Sequence, residues 1–223
     1  YMFNGCTGLT TAPELPATTL AQSCYQYMFQ GCTSLTTATS IGNSVTTMAT
    51  SACTYMFQDC TSLTTAPELP ATTLATYCYQ YMFYNCTSLT TAPELPATTL
   101  ATYCYQYMFY NCTSLTTAPE LPATTLASYC YQSMFLGCIS LTTAPELPAT
   151  TLRSGCYRNM FDNCTSLNYI KAMFTTTPST SYTNYWVNGV ASTGTFVKNS
   201  AATWDVTGVD GIPTGWTVQT ASA

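Results

Sequence analysis

The chain carries thirteen cysteines, nine acidic residues, four basic residues and no histidine. Without an imidazole there is no Ser-His-Asp or Cys-His nucleophile and no His-bearing zinc site. Thiols and carboxylates are what remain, and both recur at fixed intervals. Twelve cysteines fall into six couples: Cys24 and Cys32, Cys53 and Cys60, Cys78 and Cys86, Cys104 and Cys112, Cys130 and Cys138, Cys156 and Cys164. Cys6 stands alone, and the last, degenerate repeat replaces both positions of a couple, with Tyr182 and Val190. If oxidised, each couple would close a disulfide within its repeat. Against that, residues eight apart along a straight helix lie about 12 Å from each other, whereas a disulfide spans at most about 7 Å between Cα atoms. The other reading is a ladder of buried free thiols, which pack as small hydrophobes. The spacing is not that of a zinc site.

The carboxylates are as regular. Glu14, Glu68, Glu94, Glu120 and Glu146 share one register, with Ser40 in the slot of the inserted repeat and Ala172, next to Lys171, in that of the last. Stacked about 5 Å apart at an effective dielectric near 20, neighbouring charges repel by about 3 kcal/mol, less where water and salt reach them. A solvated acidic stripe relieves this by splaying. The alternative is that Ca²⁺ bridges Glu68, Glu94, Glu120 and Glu146, with Thr hydroxyls and backbone carbonyls as further oxygen ligands. No other cofactor is implied. Carboxylates alone can hydrolyse glycosides, but with the usual catalytic groups missing the expectation is not an enzyme.

Tyrosine is the third excess, eighteen residues in the chain. Tyr25, Tyr79, Tyr105, Tyr131 and Tyr157 share one register, Tyr27, Tyr55, Tyr81 and Tyr107 a second, and Tyr77, Tyr103 and Tyr129 a third. Three such columns cannot all face a core already filled by Leu, Cys and Met. At least one should form an outer aromatic stripe, with Tyr79, Tyr105 and Tyr131 as candidate binding residues. Lateral packing of helix on helix is one reading of such a column; the other is a stacking platform for sugar rings or a partner, since tyrosine offers an apolar face with a polar tip.

What positions these columns is an internal repeat. Met-Phe pairs begin at Met2, Met28, Met56, Met82, Met108, Met134 and Met160, 26 residues apart with one interval of 28. The longer interval is a two-residue insertion within 35–53, where one coil should bulge. Adding one period to Met160 gives Trp186, and YWVNGVASTGTF matches YMFNGCTGLTTA position for position. The chain opens in mid-repeat, as a fragment or mature product of a longer array would. Two domains are expected, a solenoid over 1–199 with a degenerate last repeat and a β-rich cap over 200–223 that closes its end.

Within one repeat, Thr91–Leu95 reads as a short strand made irregular by Pro93, which cannot donate a ladder hydrogen bond. Leu100, Cys104 and Met108 then recur at the spacing of one helical face. Gly, Asn or Asp stands three residues after each Met, where a helix would end in the left-handed conformation. This placement gives Asn85-Cys86-Thr87, Asn111-Cys112-Thr113 and Asn163-Cys164-Thr165 a backbone reason besides their match to the glycosylation pattern. The expected fold is a right-handed α/β solenoid with about 26 residues per repeat, a parallel sheet on one face and helices on the other. An all-β solenoid is the alternative.

The segment MFYNCTSLTTAPELP, with its Phe-x-x-Cys-x-x-Leu core before a proline-bounded strand, resembles the leucine-rich repeats of BspA-like surface proteins of Bacteroidetes. The tail, WVNGVASTGTFVKN to GIPTGWTV, is similar to the terminal segment of repeat proteins of gut Bacteroidetes and of the phages that infect them. The resemblance implies adhesion or recognition without catalysis, and receptor binding if the chain belongs to a phage tail. A net charge of −5 and 6% charged residues offer no footprint for nucleic acid or anionic membranes. No apolar run is long enough for a membrane helix, and Tyr1 does not open a signal peptide, so any export signal lies outside this chain. The function expected is recognition of a protein or glycan by an extracellular, cell-surface or virion-exposed protein, with a structural spacer or fibre segment as the alternative.

Overall fold

The computed structural model describes residues 1–38, 41 and 45–221. The bulge expected at the insertion, and Ser40 in the glutamate register, lie outside the described residues. The chain winds into stacked coils. Parallel bridges join Thr37, Thr65, Thr91 and Thr117 in one line, and Thr47, Thr73, Thr99 and Thr125 in another. Among the described residues, continuous strands form only where proline no longer interrupts the segment: β1 (Tyr169–Ala172), β2 (Thr195–Lys198) and β3 (Thr217–Thr220). They make one parallel sheet in the order β1-β2-β3. In the proline-bearing coils the expected strand shrinks to isolated bridges, at Thr91 alone in one coil and at Thr143 and Leu147 in another.

The expected helical face is not there. Among the described residues no helix forms, and none is long and apolar enough to cross a membrane. The segment assigned to it is a ribbon of consecutive tight turns. In the ribbon from Tyr77 to Cys86, the N–H groups of Cys78, Gln80, Met82, Tyr84 and Cys86 each donate to the carbonyl three residues back, at 3.0–3.2 Å. The alternate N–H groups, of Tyr77, Tyr79, Tyr81, Phe83 and Asn85, donate to carbonyls of the next coil at 2.8–3.3 Å. Every backbone donor from Tyr77 to Cys86 is thereby paired, half within the coil and half between coils.

The price in conformation falls on every fourth residue. Tyr77, Tyr81 and Asn85 have φ of 60°, 57° and 59°, the left-handed region that costs a non-glycine residue about 1–2 kcal/mol. The period of the ribbon is therefore four residues, not 3.6. Cys78 and Tyr79 are buried, Gln80 and Tyr81 half-buried, Met82 and Phe83 buried, Tyr84 and Asn85 half-buried.

Stacking turns each buried position into a column. Phe3, Phe29, Phe57, Phe83, Phe109, Phe135 and Phe161 stack with centroids 5.4–5.8 Å apart. Met, Leu and Cys columns fill the rest of the core. At the far end Trp186 takes the Met position, fully buried, and its indole N–H donates to Gly211 O at 2.8 Å. Trp204 stacks on Phe174, and Trp216 donates to Ala191 O at 2.7 Å.

Candidate functional site

The twelve coupled cysteines form two columns and no disulfide: among the described residues all cysteines are free thiols. The within-repeat disulfides drawn from Cys24 to Cys164 are therefore not formed. The ribbon explains why, because Met108 and Phe109 lie between Cys104 and Cys112 and each thiol of the second column is engaged elsewhere. Cys86, Cys112, Cys138 and Cys164 donate to the carbonyls of Phe57, Phe83, Phe109 and Phe135, one coil back, at 3.0–3.1 Å. Burial pushes the thiols up from their ordinary range, Cys78 to about 12 and Cys156 to about 11. A thiol held protonated is a poor nucleophile and a poor metal ligand. Cys6 and Cys24 are the exposed pair.

Tyr79, Tyr105 and Tyr131, expected as an outer stripe, are core residues with exposures of 2%, 1% and 2%. They follow the first cysteine of each couple on the inward-facing step of the ribbon. The other two registers lie outward together with Tyr84 and Tyr110, all half-buried, while Tyr1 and Tyr185 are exposed. Tyr27, Tyr55, Tyr81 and Tyr107 stack at 4.5–4.7 Å, and Tyr77, Tyr103 and Tyr129 at 4.9–5.0 Å. Rings stacked this way cover each other's faces. What they present outward is ring edges and hydroxyl tips, so they offer no flat platform for a sugar ring.

Glu14, Glu68, Glu94, Glu120 and Glu146 are all exposed. Glu146 ends the row in an ion pair with Lys171, Nζ to Oε2 at 3.0 Å. Among the described residues no three His, Cys, Asp or Glu side chains converge where they could hold a metal ion. The geometry thus gives the calcium reading no support. Shallow troughs run between coils beside the row, one lined by Pro119, Glu120, Pro122, Pro145, Glu146 and Pro148 with a volume of about 370 Å³. A similar trough of about 310 Å³ lies between Thr64, Thr65, Thr90 and Thr91.

Threonine hydroxyls zip neighbouring coils. Thr36, Thr64 and Thr116 donate to the carbonyls of Thr10, Thr36 and Thr90 at 3.1–3.2 Å. Amide ladders do the same on the ribbon and were not anticipated from the sequence. Asn111 donates to Asn85 at 2.8 Å and Asn85 to Asp59 at 2.9 Å, while Gln80 donates to Gln106 and Gln106 to Gln132. The signal was present, since an amide repeated at one register can donate to the coil on one side and accept from the other. Asn85, Asn111 and Asn163 have φ of 58–59°, the backbone reason for their place in the Asn-Cys-Thr triplets.

The arrangement is a surface rather than a pocket: exposed ranks of Thr and Glu, troughs between coils, and ridges of tyrosine edges. The family described as BspA type leucine rich repeat region matches residues 1–116 and 49–168, in six copies. No curated protein matches the chain, and no solved structure does.

Proposed function

The chain belongs to the BspA type leucine-rich-repeat family, and from that premise we propose that it is a non-catalytic recognition module of a cell-surface or virion-exposed protein. Repeats of this family usually mediate protein-protein interaction and are generally non-catalytic. The source that suits the repeats is a Bacteroidetes surface or the tail of a phage that infects such cells. In this reading residues 1–199 are the recognition array and residues 200–223 close its end.

The observation that carries the reading is the uniformity of the exposed Thr and Glu ranks. Every regular coil sets out the same uncharged hydroxyls and one carboxylate, so a partner meets one extended surface, the kind of surface solenoids use for binding. A protein partner suits it better than a glycan, because the outer tyrosines turn edges and not faces to solvent. The core thiols, such as Cys78, lie buried and protonated, which fits a display surface and not a reaction centre.

The test is adhesion of the purified chain to cultured epithelial cells and to immobilised extracellular proteins, with a variant carrying Thr91→Lys, Glu94→Lys, Thr117→Lys and Glu120→Lys. These positions are exposed, so the fold should survive. A recognition face loses at least about tenfold in affinity, roughly 1.4 kcal/mol. Undiminished adhesion would make the array a spacer whose binding part lies elsewhere.

A further inference from the structure

We propose that the outer tyrosine columns are an oxidative cross-linking site, where one-electron oxidation joins stacked tyrosines of neighbouring coils, Tyr55 to Tyr81 and Tyr84 to Tyr110, into covalent dityrosine staples. Three features of the rings support this. Their centroids are 4.5 Å apart in both pairs, and their planes are within 8° and 2° of parallel. The buried column is looser, 5.8–6.0 Å between Tyr79, Tyr105, Tyr131 and Tyr157, and is sealed from solvent. The outer rings are half-buried, open to an oxidant along their edges.

The columns are also connected. Tyr81 meets Tyr84 at 5.8 Å and Tyr107 meets Tyr110 at 5.9 Å, so a radical formed on any ring of this cluster reaches the closest pairs by hopping. Because each ring is held against its neighbour by the paired backbone beneath it, coupling within the chain precedes any encounter with a second molecule.

The chemistry balances with hydrogen peroxide turned over by a haem peroxidase. Each phenol gives up one electron and its hydroxyl proton. The two phenoxyl radicals form a carbon-carbon bond between ring positions ortho to the oxygens, and the hydrogens displaced there return to the oxygens to restore both phenols. The two electrons and two protons removed reduce one peroxide to two waters. The product is the chain lighter by two hydrogens per staple, with adjacent coils covalently joined.

The experiment uses the full chain with Cys6 and Cys24, the exposed thiols, first blocked by iodoacetamide. After treatment with peroxide and peroxidase, the expected product is monomeric on a denaturing gel, shows dityrosine fluorescence, and yields linked peptides joining Tyr55 to Tyr81 and Tyr84 to Tyr110. The buried tyrosines stay unmodified, and the same reaction in urea loses these linkages. The double variant Tyr81→Phe and Tyr84→Phe keeps the stacked rings but should lose more than half of the fluorescence, whereas Tyr79→Phe should lose none. Absence of intrachain dityrosine, covalent dimers in its place, or an unchanged yield in the double variant would overturn the proposal.

Discussion

A cysteine in this array does two jobs that its sequence position hides. Cys112 fills a core site at 0% exposure, and its thiol reaches back to Phe83 O, a carbonyl that already accepts the N–H of Cys86. The repetition of cysteine was plain in the sequence, and so was the choice between a thiol ladder and disulfides. What decides between them is the direction of each thiol, which depends on a backbone the spacing did not disclose. Burial raises the thiols of the folded array above the ordinary value of about 8.5, to about 12 for Cys78 and about 11 for Cys156. As pH rises between those values the unfolded chain releases protons that the folded chain keeps, so stability falls with rising pH. It is fully present below about pH 8.5 and lost progressively above that. Urea melts from pH 7 to 10 should show a level midpoint and then a decline. A midpoint constant to pH 10 would mean that the thiols are not held protonated in the folded state.

At the scale of the element, the instructive case is the ribbon. Leu100, Cys104 and Met108 fit a helix because every fourth residue is on the same side in both structures. The difference lies in their neighbours: Met82 and Phe83 are adjacent and both fully buried, which a four-residue, two-in and two-out period explains directly. The left-handed residues were legible where they are Gly, Asn or Asp. They were not where they are Tyr77 or Tyr81, since a bulky residue rarely takes positive φ, and here the inter-coil hydrogen bonds and ring stacking offset the strain. Gly155 shows how tight the ribbon is. It has φ of 57°, and a Cβ placed on it would sit 2.2 Å from Cδ1 and Cε1 of Tyr129. Gly155→Ala should therefore swing the Tyr129 ring off its stack and destabilise the chain by about 1–2 kcal/mol. A denaturant melt matching the parent would show that this turn is looser than the ribbon requires.

For the whole molecule, the repeat was legible because seven Met-Phe pairs recur at 26 residues with a single interval of 28, and so was Trp186 standing in the place of Met. Short regular intervals do not say how the backbone travels between them, which is why the α/β layout was expected and the turn-ribbon solenoid was found. The surface depends on that difference. In the ribbon the outer tyrosines stack edge-outward and the Asn and Gln amides link coil to coil. The stacked tyrosine columns and the cross-linking site built on them therefore rest on the absence of helix among the described residues. The direct measurement is a far-UV circular dichroism spectrum of the folded chain. The turn-ribbon solenoid should give a spectrum of turn and short-strand character without the paired minima of α-helix, while a clear helical signature would contradict that fold.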